Sequence, residues 1–417
     1  MSNESLKKGV MTMKLHKSVI TFGSGLLSLG VVLLMSGCET FRRNQARYVM
    51  MKALDGEAEY QNTLGSYYLL GYGVGRDPSK AVYWYRLAAE QGYTLAKLNL
   101  GGLLVTGKGC ETNAIEAVEW FKEAAAENES KAYHALATCY LLGYGVNRDL
   151  KEAVRWFQKA VDAGETFSCS DLGLCYLYGW GVEKDPHIAF ETFQKGSDAG
   201  WPRATVYLAG CYSDGTGVQR DDKRAFKLMQ SAAETGDMIA LYGLGWYYSC
   251  GVGVETNFVE AVSIWRQSAG KGCAFAQYSL GRAYATGRGV ETNQKEAFDW
   301  YLKAAEAGHA AALYEVGLRY MRGNGTSVDY GRAAFWFRKS AELNCTMAWF
   351  YLGKLYEQGK ISEDRDFERA LECYQKAASA GFREAALCAD KMKRLIAAPV
   401  LQVKPEPANK KEDECKK

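Results

Sequence analysis

The stretch Gly71-Tyr-Gly-Val-Gly-Arg-Asp-Pro-Ser-Lys80 puts three glycines ahead of a lysine, the composition of a loop that could wrap a phosphate. A dinucleotide fingerprint needs G-x-G-x-x-G after a strand, and a P-loop needs G-x-x-x-x-G-K-[ST]. Neither is met. Arg76 stands where the third fingerprint glycine belongs, and the preceding Asn62–Leu70 lacks the β-branched character of a buried strand. The twelve cysteines could in principle ligate a metal, and the four histidines, His16, His134, His187 and His309, could join them. The histidines are scattered, however, and neither G-x-S-x-G nor HExxH occurs. Most carboxylates occupy positions where a helix start or a solvent face explains them. The residues therefore point to no catalytic, metal, cofactor or nucleotide site, and to no enzyme.

Bulk properties narrow the class further. The chain of 417 residues is 48% apolar and 24% charged, enough to bury a large core, with only six prolines among 44 glycines. Its formal charge of +3 is too small for a nucleic-acid footprint. That excess sits in Lys7, Lys8, Lys14 and Lys17 against Glu4, so the chain beyond residue 37 carries no net charge. Those lysines precede the apolar run Val19–Met35, which closes as Leu34-Met-Ser-Gly-Cys38. A basic segment, an apolar segment and small residues before a cut make an export signal. The LMSGC ending resembles a bacterial lipoprotein signal, which implies that residues 1–37 are removed and Cys38 is acylated. An uncleaved transmembrane anchor is the other reading of the same run. Either way the expectation is a chain tethered in the bacterial cell envelope on the periplasmic side. Glu39 rather than aspartate after the cysteine favours the outer membrane.

Internal repetition settles what could position any site. Leu64-Gly65 recurs at Leu100-Gly101, Leu172-Gly173, Leu244-Gly245, Leu280-Gly281 and Leu352-Gly353, with Leu136-Ala137, Leu208-Ala209 and Val316-Gly317 in the remaining slots. The step is uniform, and nine units cover residues 57–381. Each reads as two helices. The first has apolar residues one turn apart, as in Ala276, Leu280 and Tyr284, and stops at a glycine such as Gly71 or Gly143. Asp77, Asn113, Asp149, Asp185, Asp221, Asn257, Asn293 and Asp329 then stand at helix N-caps. Asn113, Asp149, Asn257 and Asn293 have glutamate three residues on, the spacing of a capping box. The second helix buries an alanine, from Ala81 to Ala333, followed by aromatics such as Trp84 and Tyr85. Cys139, Cys175 and Cys211 share one column. Stacked hairpins hold equivalent atoms about 10 Å apart, too far for shared ligation, so these thiols read as small core hydrophobes. Apart from Cys38 the cysteine number is odd, leaving at least one free or paired between chains.

Units such as LGSYYLLGYGVGRDPSKAVYWYRLAAEQG resemble Sel1-like repeats, relatives of tetratricopeptide repeats. The resemblance implies an all-α, right-handed α/α solenoid acting as an adaptor for protein complexes. Outside the repeats, residues 38–56 read as an anchor linker and N-terminal cap, 382–398 as a capping helix and 399–417 as a charge-balanced disordered tail. The ninth unit departs from the pattern, because Lys360-Ile-Ser-Glu-Asp-Arg365 has no second glycine. A cysteine-rich exported branch of the family pairs cysteines within each unit; here the spaced partners are missing. Some of those relatives have been linked to β-lactam binding or hydrolysis, which makes a weak hydrolase or cell-wall ligand site the alternative function. No Ser-x-x-Lys constellation in a suitable context supports it.

A protein or peptide partner on the concave wall of first helices is the favoured reading. The positions three before and one after the repeated glycine lie off the Leu/Tyr core stripe. In the carboxyl half they read Tyr242, Trp246, Tyr278, Arg282, Tyr314, Leu318 and Phe350, whereas the early units carry Asn62, Leu98, His134 and Ser170 in the first of these columns. Aromatics and arginine dominate binding hot spots. The competing reading is that these rings pack against the neighbouring repeat.

Overall fold

The computed structural model describes residues 39–361 and 364–397. The signal segment, Cys38 and the tail 399–417 lie outside the described residues. No strand occurs among the residues described. A helix, α1 (Glu39–Leu54), precedes nine hairpins: α2 (Ala58–Leu70) with α3 (Pro78–Glu90), α4 (Thr94–Thr106) with α5 (Ala114–Ala126), α6 (Ser130–Leu142) with α7 (Leu150–Asp162). Next come α8 (Cys169–Tyr178) with α9 (Pro186–Asp198), α10 (Pro202–Asp214) with α11 (Asp222–Glu234), and α12 (Met238–Cys250) with α13 (Phe258–Gly270). The last three are α14 (Ala274–Thr286) with α15 (Gln294–Glu306), α16 (Ala310–Arg322) with α17 (Tyr330–Glu342), and α18 (Thr346–Glu357) with α19 (Phe367–Ser379). A final helix, α20 (Arg383–Ala397), follows. The first helix of each pair is termed A and the second B. The chain divides into two compact units, up to Ser268 and from Ala269, and each is an α/α solenoid of stacked hairpins.

Three glycine columns explain why the sequence folds this way. The glycine of the Leu-Gly pair is a floor for a ring from the B helix of its own hairpin. A Cβ on Gly101 would lie 2.4 Å from Phe121 Cε1, and one on Gly173 2.4 Å from Phe193 Cε1. That ring is the second of the paired aromatics: Tyr85, Phe121, Phe157 and Phe337 are buried, whereas their neighbours Trp84, Trp120 and Trp156 are only half-buried. The alanine of the B helix, fully buried from Ala81 to Ala333, lets the two helices approach that closely.

The first joint glycine ends the A helix in the left-handed region. Gly143 has φ 73°, and its N–H and that of Tyr144 both donate to the Cys139 carbonyl, at 2.8 and 3.0 Å. The second joint glycine has another role, which locks one hairpin to the preceding one. Gly145, at φ +68°, sits so close to the start of α5 that a Cβ would lie 2.0 Å from the Ala114 carbonyl oxygen. Gly181 meets Leu150 in the same way, and Gly217 meets Pro186.

The N-caps form as expected, but the full capping box does not. Asp149 Oδ1 accepts from the N–H groups of Lys151 (3.0 Å) and Glu152 (3.1 Å). In a reciprocal box the glutamate would return to the cap N–H. That N–H is already used: Asp149 donates to the Tyr140 carbonyl at 3.0 Å, and Asn113 to the Leu104 carbonyl at 2.9 Å, closing the joint. Glu116 is thereby released to pair with Arg86 of the preceding B helix.

Candidate functional site

In the first unit the A helices α8 and α10, and α10 and α12, touch one another directly. Along this wall the column three before the repeated glycine is partly stitched by polar contacts. Asn99 Nδ2 donates to Asn62 Oδ1 at 2.8 Å, and His134 Nδ1 lies 3.0 Å from Ser168 Oγ. Leu98 and Ser170 are buried. Tyr242 is half-buried, and its carbonyl accepts from the Trp265 indole at 3.2 Å. Trp246 is half-buried, with its ring 5.6 Å from that of Tyr247.

In the second unit the residues of the stripe divide. Tyr278 on α14 is half-buried and stacks on His309, the cap of the next A helix, at 4.5 Å and 18°. Tyr314 on α16 is half-buried and lies 5.9 Å from Tyr351 of α18. Both rings thus pack against the following repeat while keeping one side in solvent. Leu318, 9% exposed, and Phe350, 2% exposed, belong to the hydrophobic core of this unit. Phe350 is held against Phe382 (4.8 Å) and Tyr374 (5.7 Å), so neither it nor Leu318 offers a surface to a partner. The last two hairpins and the capping segment close over them.

Arg282, one turn from Tyr278 on α14, is half-exposed. Next to it the structure adds a charged group that periodicity alone did not single out. Arg319 occupies the column that holds Leu103, Cys139, Cys175, Cys211, Tyr247, Ala283 and Leu355 elsewhere, and it is only 7% exposed. Its Nη1 donates to Gln294 Oε1 at 3.0 Å, its guanidinium lies 4.5 Å from the centre of the Tyr301 ring, and its buried Nε has no hydrogen-bond partner. One turn back, Glu315 is half-buried. Burial pushes its carboxyl above the usual range, against the pull of Arg319, Arg282 and Arg322. Two guanidiniums, those of Arg282 and Arg322, one carboxylate and two tyrosines therefore share the wall of α14 and α16, while the Arg319 guanidinium is turned inward against α15. A charge in an otherwise apolar column was legible as an anomaly, since arginine breaks the run of small and apolar residues.

One arrangement in the first unit has the residue types of hydrolytic chemistry. His134 Nδ1 meets Ser168 Oγ, and its Nε2 lies 4.0 Å from Asp171 Oδ2. Ser168 is 0% exposed, however, and the imidazole is wedged between Phe157 (5.4 Å) and Phe167 (4.6 Å). Burial holds His134 below its ordinary value despite the carboxylates of Asp171 and Glu165. A nucleophile must reach substrate; this hydroxyl reaches only the packed joint between α6 and the short 3₁₀ turn Thr166–Ser168. The thiols of Cys139, Cys175 and Cys211 are likewise buried and pushed up to about 12, which keeps them protonated. A groove of about 620 Å³ lies on the B-helix side, where Val154, Trp156, Tyr176 and Val182 make an apolar floor and Lys151 and Lys159 a basic rim.

The repeat geometry has known counterparts. The family model described as Sel1 repeat matches residues 58–93, 94–129, 130–165, 166–201, 202–237, 239–273, 274–309, 310–345 and 347–382. A Sel1 repeat protein from Oxalobacter formigenes is similar in structure, with 31% identity and a TM-score of 0.51 over 54% of this chain and 91% of that one. A protective antigen present in uropathogenic Escherichia coli strains, displaying an SLR fold, shares 28% identity with a TM-score of 0.46 over 84% of this chain and 83% of the other. An immunity protein from Pseudomonas aeruginosa shares 23% identity with a TM-score of 0.41 over 52% of this chain and 82% of that one. No curated protein matches.

Proposed function

Because the chain belongs to the Sel1 repeat family, whose members are generally scaffolds for protein interaction, we propose that it is an exported, membrane-anchored scaffold that seats a partner protein on its concave A-helix wall. It performs no chemistry of its own. Export and anchoring rest on the basic and apolar segments ahead of Cys38 and on the LMSGC ending. The seat rests on one observation, the group formed by Tyr278, Arg282, Tyr314, Glu315 and Arg322 on α14 and α16, with the buried Arg319 behind it. Half-buried tyrosines with accessible guanidiniums are the usual anchors of an interface. The positive charges outnumber the carboxylate, so the partner segment that fits is acidic and carries an apolar or aromatic side chain. A pre-formed helical wall avoids much of the ordering cost of binding.

The test is capture by the full chain, held in the same detergent, from detergent-solubilised envelope, read by crosslinking and mass spectrometry. A stoichiometric partner held by the parent chain should be lost with the double variant Arg282→Glu, Arg322→Glu. The melting temperature should stay close to that of the parent. Equal capture by the double variant overturns the seat.

A further inference from the structure

Helix α1 packs one face on the first hairpin and leaves a second apolar face uncovered. Ala46, Val49 and Ala53 are buried, with Arg42, Gln45 and Met50 half-buried beside them. On the other side Phe41, Met51 and Leu54 are 61%, 63% and 70% exposed, and Tyr48, 51% exposed, meets the Tyr60 ring of α2 edge-on at 5.9 Å. At 100° per residue these four spread over roughly 140° of the helix opposite the packed face. Exposed Asn44 and Arg47 lie within that arc, and exposed Arg43 at its edge. Along its length α1 holds Arg42, Arg43, Arg47 and Lys52 against Glu39 alone. The exposed apolar residues elsewhere are more thinly spread, as with Ile115 on α5 and Val259 on α13. A basic helix with an apolar face is suited to lie in a membrane interface, its rings and aliphatic chains among the acyl boundary and its guanidiniums at the phosphates.

The chain ahead of this face indicates its cover. Glu39, the first residue of α1, directly follows Cys38 and the apolar run that ends at Met35. Acylation of Cys38 and retention of the apolar run as an anchor both deliver residue 39 to the surface of a bilayer. Phe41 is then within one turn of the attachment point. Phe41 and Leu54 are about 20 Å apart along the axis at 1.5 Å per residue, so all four can enter the lipid only if α1 lies flat on it.

We propose that α1 is a second membrane contact, an interfacial helix that rests its Phe41, Tyr48, Met51 and Leu54 face on a bilayer containing anionic lipid and so fixes the first hairpin against the membrane. The inference rests on the anchored reading of the protein. A lipid anchor alone allows free rotation about its linker. An anchor with a flat helix beside it does not.

The experiment uses the full chain reconstituted into vesicles of phosphatidylethanolamine and phosphatidylglycerol, carrying a benzophenone side chain at position 51 or, as control, at the equally exposed position 115. Flotation of the vesicles reads anchoring, and photocrosslinking reads contact. The expected result is flotation of both proteins, with lipid adducts at 51 about tenfold above those at 115. The variant Phe41→Glu, Met51→Glu, Leu54→Glu, probed at 48, should float equally and lose its lipid adducts with helicity unchanged. A chain that does not float overturns the anchor and this inference together. A chain that floats, with adducts at 51 no better than at 115, overturns the interfacial helix and leaves the anchor standing. Adducts at 51 to a second copy or to residues 19–35 of the same chain overturn it too, by naming another occupant.

Discussion

Acidification should loosen the start of α16 through His309. The imidazole caps this helix, its Nδ1 accepting from the Ala312 N–H at 3.2 Å. Tyr278 stacks on one side at 4.5 Å and the Phe275 ring meets it edge-on at 5.1 Å. Burial holds the ring down to about 4, against an ordinary 6.5, and its own backbone opposes this only weakly. A lowered histidine is neutral in the fold and charged more readily in the opened chain. Stability is therefore fully present above the ordinary value and is lost as pH falls from it toward the folded value. The full shift would take away about 3 kcal/mol by about pH 4, and roughly 2 kcal/mol of it between about pH 7 and pH 5. The ring is only partly shielded from solvent, so roughly 1–2 kcal/mol is expected over that interval. Protonation also turns Nδ1 from acceptor into donor, which removes the cap. The assay is hydrogen exchange read helix by helix, with protection of the α16 amides followed from about pH 7 to about pH 5. Protection should fall by roughly 5–30-fold. The variant His309→Asn keeps a capping acceptor and cannot titrate; its α16 protection should be lower at neutral pH, from the lost stacking, but nearly independent of pH. Equal pH slopes in parent and variant would falsify the reasoning. Peptides from α6 separate this effect from the buried His134 in the other unit.

Three further outcomes can be measured by denaturation or labelling. Gly145→Ala should destabilise by more than about 2 kcal/mol, because its Cβ would lie 2.0 Å from a backbone oxygen of the preceding hairpin. Gly75→Ala is the control: nothing lies within 4 Å of its Cβ, so urea melts should show a change of less than about 1 kcal/mol, toward stability. Arg319→Leu, which restores the apolar column, should stabilise the second unit by about 1–3 kcal/mol in urea melts and leave partner capture unchanged; a large loss of stability would show the guanidinium to be structural. Cys139, Cys175 and Cys211, buried and held near 12, should resist a thiol reagent at neutral pH until the chain is unfolded, and rapid native labelling of any of them contradicts their placement.

The fold was legible because each hairpin repeats its own instructions. The step from Leu64 to Leu100, the stopping glycines and the capping Asp77 or Asn113 are local signals, read one helix at a time. The site was only half legible because it depends on angles between helices, which a period does not encode. Tyr278 and Phe350 occupy the same column, yet one meets His309 with an edge in solvent and the other is closed over by Phe382 and Tyr374. The difference arises because the array ends one hairpin after the helix that carries Phe350 begins, and the capping segment folds over it. Likewise, capping-box spacing at Asn113 and Asp149 specified the cap but not the fate of the cap N–H, which the joint takes for itself.

The second joint glycine has a consequence at the start of the array. Gly73 approaches the Arg42 carbonyl of α1 as closely as Gly145 approaches that of Ala114, at 2.3 and 2.0 Å for a notional Cβ. Helix α1 thus takes the place that a preceding B helix holds in the other joints, with Ala46 and Val49 supplying its buried stripe. In a complete hairpin the positions equivalent to Met51 and Leu54, such as Glu123 and Ala126 on α5, stay exposed. The face of Phe41, Tyr48, Met51 and Leu54 is therefore an outer face of the array, and in α1 it is occupied by apolar residues. A soluble cap would make that face polar, because terminal repeats of a solenoid need a polar outer surface. Here it is apolar and accompanied by arginines, the composition that suits a bilayer.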